Sequence, residues 1–63
     1  MPIITVEGPS LEVDTKRRFV KELTDAMAGA YPKIAREHFV VLIRENKPEN
    51  VGSGGELIAD KRK

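Results

Sequence analysis

The sequence predicts an α+β subunit: two parallel strands joined by one main helix, then a short C-terminal hairpin, assembled as an oligomer. Three observations predict it. A short β-branched run, Ile3-Ile4-Thr5-Val6-Glu7, is stopped by Gly8-Pro9. An apolar stripe of helical period extends from Phe19 to Tyr31 and is cut by Pro32. A continuous apolar run, Phe39-Val40-Val41-Leu42-Ile43, then follows, too short for a helix and rich in β-branched residues.

The first strand is expected over residues 3–7, with Pro2 at its start, a place where a missing N–H costs little. The loop opened by Pro9 and Ser10 runs to Asp14, the expected helix N-cap. Phe19, Val20, Leu23, Ala26, Met27, Ala30 and Tyr31 then recur at spacings of one, three and four residues. Lys16, Arg17, Lys21, Glu22 and Asp25 lie off that stripe. Residues 33–37 form a connector with room for one helical turn. The second strand, apolar at every position from Phe39 to Ile43, carries the pattern of a strand buried on both faces. Strand, crossover helix and parallel strand make a right-handed βαβ unit. Beyond Asn46 stand Pro48 and the segment Gly52-Ser53-Gly54-Gly55, suited to a tight turn before a short strand, Leu57-Ile58-Ala59.

A chain of 63 residues allows one domain, residues 1–63, and a marginal one. Domains near this size bury only about 60% of the surface their unfolded chains expose. Disulfides, a metal or oligomerisation usually make up the deficit. With no cysteine and a single histidine, His38, oligomerisation is what remains. Topology makes the same demand, because one helix covers only one face of a two-stranded sheet. The other face of the Phe39–Ile43 run needs a cover from outside the chain, and a second copy is the economical one.

Eleven basic against ten acidic residues give a formal net charge of +1, which argues against nucleic acid as a partner. The terminal Lys61-Arg62-Lys63 reads as a solvated end rather than a binding motif. No apolar run approaches the roughly 18 residues of a membrane span and no signal peptide is visible. A soluble, cytoplasmic protein without a membrane partner is expected.

Pro2 is the residue with the most chemistry. Once Met1 is removed, the chain begins with a secondary amine, basic and nucleophilic, pinned to the first residue of a strand. An α-amine titrates near about 8 in a model peptide, and burial or nearby cations lower that value. Such a nitrogen can be a neutral general base at physiological pH. The plainer reading is a proline that only starts a strand.

Pro2-Ile3, Glu7-Gly8, the helix Lys16…Phe19-Val20-Lys21-Glu22-Leu23…Ala26, the strand end Ile43-Arg44-Glu45 and the close Gly52-Ser53-Gly54-Gly55-Glu56-Leu57 together resemble the 4-oxalocrotonate tautomerase family. The resemblance spans the chain, with about two extra residues after Gly8. It implies a hexamer of small βαβ subunits, without metal or organic cofactor. In such an assembly the freed terminal proline, here Pro2, moves a proton between oxygen and carbon of a 2-hydroxydienoate such as 2-hydroxymuconate. Enol and 2-oxo forms are thereby interconverted.

The chain departs from the pattern at three places. The family's loop arginine falls on Pro9 or Ser10, its strand arginine on Val40, and its active-site phenylalanine on Val51. Arg44 and Arg17 are the candidate substitutes for substrate binding. Arg44 shares a strand face with Val40, Arg17 lies in the first helical turn, and a guanidinium binds a carboxylate in a bidentate way. Each is also readable as solvated, at a strand end and on a helix face respectively. Val51 is expected to keep the site apolar, and His38 to be a polar residue at a strand start. The alternatives to a proline-base tautomerase are a promiscuous relative with a less charged substrate and a non-catalytic oligomeric βαβ module.

Overall fold

The computed structural model describes residues 1–61; Arg62 and Lys63, two members of the basic tail, lie outside the described residues. Strand β1 (Ile3–Gly8) leads into helix α1 (Val13–Ala30), a 3-10 turn (Arg36–His38) and strand β2 (Val40–Glu45). A second 3-10 turn (Pro48–Asn50) is followed by β3 (Gly52–Ser53), β4 (Glu56–Leu57) and the helical turn α2 (Ile58–Lys61). β1 and β2 run parallel, in register from Ile3 opposite Val40 to Gly8 opposite Glu45. Just beyond the two ends, the Val40 N–H donates to the Pro2 carbonyl (3.1 Å) and the Asn46 N–H to the Gly8 carbonyl (2.9 Å). The α+β arrangement of two parallel strands, one main helix and a C-terminal hairpin is the one expected from the sequence.

The helix starts differently from expectation. Glu12, not Asp14, is the N-cap residue, and its side chain caps nothing. Asp14 lies inside the first turn, where its charge favours the positive end of the helix dipole, and it pairs with Arg17 at 2.6 Å. The connection into α1 is tied from the sheet instead. At the end of β2 the Glu45 carboxylate accepts the Leu11 N–H at 2.8 Å and pairs with Lys16 at 3.0 Å. The Leu11 amide first, and Lys16 second, hold the Glu45 carboxyl below its ordinary range.

Only part of the predicted helical stripe meets the sheet. Phe19, Leu23 and Met27, four residues apart, turn inward, whereas Val20, Ala26, Ala30 and Tyr31 are exposed. Tyr31 rests near Phe39, with ring centroids 6.4 Å apart. Met27 and Phe39, 5% and 9% exposed, are the buried hydrophobic residues at the centre. Phe39 precedes β2 rather than lying in it. Toward the helix the sheet presents Ile4, Val6, Val41 and Ile43, all half-buried. The opposite face carries Ile3, Thr5 and Glu7 beside Val40, Leu42 and Arg44. Nothing among the described residues covers it: Ile3 is 50% and Leu42 44% exposed.

The shape records the missing cover. The chain exposes 5003 Å², whereas a compact monomer of this mass would expose about 4,000 Å². Its radius of gyration is 15.4 Å, with extents of 47 × 24 × 13 Å, against about 11 Å for a compact chain of this length. One helix laid on one sheet accounts for the thin dimension. Part of the length is the C-terminal arm, which folds on itself. Gly54 (φ 63°) and Gly55 (φ 84°) are the two turn residues between Ser53 and Glu56, both in the conformation that a two-residue hairpin turn demands. The expected strand at residues 57–59 stops at Leu57. Its would-be partner β3 is only two residues long, and the Ile58 N–H turns back to the Val51 carbonyl (2.8 Å) to start α2.

Candidate functional site

Pro2 stands at the N-terminal end of the sheet, half-buried, its carbonyl held by the Val40 amide. A βαβ connection fixes this position well, because the first rung of a parallel ladder lies immediately beside it. Met1, joined to the proline nitrogen, is 81% exposed and packs on little.

The other end of the sheet holds a cavity of about 380 Å³, lined by Glu7, Gly8, Pro9, Asn46, Pro48, Val51 and Ile58. That volume suits a small organic molecule. The wall is mainly apolar. Its polar groups are the Glu7 carboxylate and the Asn46 amide, which donates to Glu7 Oε2 at 3.4 Å. Ligands of parallel sheets commonly sit beyond the carboxyl ends of the strands, which is where this cavity lies. Val51 is one of its walls. Arg44 is next door in the register, opposite Glu7 and two residues before Asn46, on the uncovered sheet face. Among the described residues no carboxylate lies within ion-pairing distance of Arg44, whereas Arg17, Arg18 and Arg36 each have one.

A single chain does not bring the expected site residues together. The Val40 amide meets Pro2 at one end, and Arg44 lies four residues farther along β2. At about 3.3 Å per residue that is roughly 13 Å of strand. Arg17 is elsewhere again. It borders an open groove of about 480 Å³ on the outer side of α1, with Val20, Lys21, Thr24, Arg36, Glu37 and Phe39. The cations of this groove are engaged: Arg17 with Asp14, and both Lys21 (3.2 Å) and Arg36 (2.6 Å) with Asp25. Arg36 first, then Lys21, hold the Asp25 carboxyl below its ordinary range. His38 is exposed in the turn before β2. No three acidic or histidine side chains converge on a metal-sized site among the described residues.

Sequence reasoning passed over Glu7 and Asn46 as site residues. The available signal was their position: each is a polar residue at the C-terminal end of a parallel strand, beside a Gly-Pro or Lys-Pro break.

A family model described as tautomerase enzyme matches residues 2–61. Among solved structures, DmpI from Archaeoglobus fulgidus is 47% identical, over 94% of this chain and 100% of its own, with a TM-score of 0.80. TomN, a 4-oxalocrotonate tautomerase homologue of the tomaymycin biosynthetic pathway, is 26% identical over 97% of this chain and 94% of its own, with a TM-score of 0.78. A heterohexameric 4-oxalocrotonate tautomerase from Chloroflexus aurantiacus shares the fold at 20% identity (TM-score 0.80, 95% of this chain and 97% of its own). No curated protein matches the chain. Among the described residues no helix is long and apolar enough to cross a membrane. Strand order, the position of Pro2 and a match that begins at residue 2 agree, and the chain belongs to the tautomerase family.

Proposed function

We propose that this protein is a cofactor-independent tautomerase in which Pro2, freed by removal of Met1, is the general base. The observation that supports it most is the family match opening at Pro2, a residue whose backbone the Val40 amide fixes at the head of β1. The substrates are small enols of 2-oxo acids, 2-hydroxymuconate among them. The neutral amine takes the enol O–H proton, the oxygen electrons close the C=O bond, and the C=C electrons shift along the conjugated system to its far alkene carbon. The ammonium so formed delivers the proton to that carbon, so the reaction is an isomerisation and the amine is regenerated. One group with a pKa near ambient pH serves both halves.

The working unit is a cytoplasmic homo-oligomer, a hexamer of βαβ subunits. The surplus surface and the uncovered Ile3–Leu42 face support assembly. Intact-mass measurement beside a turnover assay with 2-hydroxymuconate and an aryl-pyruvate enol tests the reading. The expected result is a chain lacking Met1, active, and silenced when a halopropionate alkylates the terminal nitrogen. Turnover that persists with the nitrogen blocked overturns the proline mechanism. A processed chain that turns over neither enol returns the protein to the class of non-catalytic oligomeric modules.

A further inference from the structure

We propose that the cavity at the C-terminal end of the sheet binds a small molecule with an apolar body and a hydrogen-bond-donating end, an ammonium above all, received by the Glu7 carboxylate. The proposal concerns binding alone and does not depend on the proline-base reading. Pro9, Pro48, Val51 and Ile58 give the cavity an apolar lining, and its volume of about 380 Å³ suits a small organic ligand. The polar side chains that reach it are Glu7 and Asn46; no lysine, arginine or histidine is among its walls. Glu7 forms no ion pair among the described residues. Its side chain accepts one long hydrogen bond there, from Asn46 Nδ2 to Oε2 at 3.4 Å. Glu7 Oε1 and Asn46 Oδ1 are thus acceptors to which no described residue donates. A carboxylate beside an apolar wall, with a neutral amide as its partner, attracts a donor and repels a ligand's own carboxylate.

The walls are tied to one another before any ligand arrives. The Asn46 N–H donates to the Gly8 carbonyl at 2.9 Å, which joins the two strand ends that carry the polar pair. Next to Asn46, the Glu45 carboxylate holds the Leu11 N–H at 2.8 Å and so anchors the loop that bears Pro9. The Ile58 N–H closes on the Val51 carbonyl at 2.8 Å, which fixes the far wall. A cavity formed in advance spends little of a ligand's binding energy on ordering its own walls. Arg44 is the group that opposes a cation here. It stands opposite Glu7 on the ladder, yet it neither lines the cavity nor comes within ion-pairing distance of the carboxylate. Acting through solvent, it weakens the pull on an ammonium without satisfying Glu7.

Three matched ligands test this. 2-Phenylethylamine, 2-phenylethanol and 3-phenylpropionate carry the same apolar body and end in an ammonium, a hydroxyl and a carboxylate. Each is titrated into the intact protein at neutral pH, with calorimetry for affinity and methyl NMR for location. The ammonium should bind most tightly, the hydroxyl less so and the carboxylate least, and the shifts should centre on the Val51 and Ile58 methyls. Glu7 is exposed, so Glu7→Gln should weaken the ammonium by about tenfold, the low end for a hydrogen bond to a charged group, and move the alcohol by less than about twofold. Arg44→Ala should act in the opposite direction and tighten the ammonium. Sedimentation velocity shows whether each variant keeps the wild-type assembly. A carboxylate that binds as well as the ammonium would overturn the proposal, as would a Glu7→Gln protein with wild-type affinity for the amine. Shifts that leave Val51 and Ile58 unmoved, or a wild type that binds none of the three at millimolar concentration, would overturn it as well. A protein that turns over no enol fails the proline-base reading alone and leaves every one of these outcomes decisive.

Discussion

Leu42→Asp is the sharpest perturbation of the uncovered sheet face. Leu42 keeps 44% and Ile3 50% of its surface exposed in the single chain. Full burial of such a side chain contributes about 1.5–3 kcal/mol, so covering the remaining half yields roughly 0.7–1.5 kcal/mol at each. Two residues on each of two copies give about 3–6 kcal/mol per contact, half of it from Leu42. The aspartate removes that half and sets an unpaired carboxylate against an apolar partner, a further penalty of at least about 1 kcal/mol. A loss of about 3 kcal/mol is more than a hundredfold in the association constant. Sedimentation velocity across a concentration series reads it directly. The wild type should sediment as an oligomer at micromolar concentration, and the variant should need at least a hundredfold more protein to do so. Activity should fall with the assembly although Pro2 is untouched. A variant that sediments like the wild type at equal concentration would refute the claim that this face is what assembly covers.

Two further outcomes follow from the fold. Glu45 has its folded pKa depressed from 4.5, by the Leu11 amide first and then Lys16, so its stabilisation is present above that pH. It is lost as pH falls through the lower folded value; in a denaturant series at falling pH, Glu45→Gln should remove that part of the acid sensitivity, leaving the part due to Asp25. A Glu45→Gln profile identical to the wild type's would contradict the tie described at the end of β2. Gly54→Ala places a methyl group in open space at φ 63°, so the cost is backbone strain alone, about 1–2 kcal/mol. Thermal unfolding should show it, while Gly29→Ala, in the last turn of α1 with nothing near the new Cβ, should be neutral or stabilising.

The three main elements were legible because each has an unambiguous period. Alternating three- and four-residue spacings leave only a helix for residues 19–31, and a five-residue apolar run has no room for one. The face shared by Val40, Leu42 and Arg44 was legible too, since strand alternation is strict. Details that depend on competition between local groups were not. Asp14 is a better capping residue than Glu12, yet the helix begins one residue before Asp14, with its approach tied to Glu45, 34 residues away from Leu11 in the sequence. Ile58-Ala59 has strand composition, but β3 is too short to pair with it. For the candidate site, Val51 was named by position and lines the cavity at the end of the sheet, whereas Pro2 stands at the other end. Parallel strands already put Pro2, at the start of the first, and Arg44, at the end of the second, at opposite ends of the sheet; the rung-by-rung register of β1 on β2 was not legible, because local periodicity does not encode it. Glu7 and Asn46 were missed for the same reason: strands had to be paired before their ends formed a cavity.

A two-stranded sheet has no central strand. β1 and β2 each pair on one side only, so each offers the other row of N–H and C=O groups to whatever backbone comes alongside. Proline and lysine, the usual guards of such margins, are absent from both strands; Pro2 and Pro9 flank β1 without interrupting it. Left open, such a row of donors and acceptors can template an endless series of like strands. Pairing these margins within the proposed assembly would take them out of reach of other chains, and the natural competitor of such an assembly is the fibre.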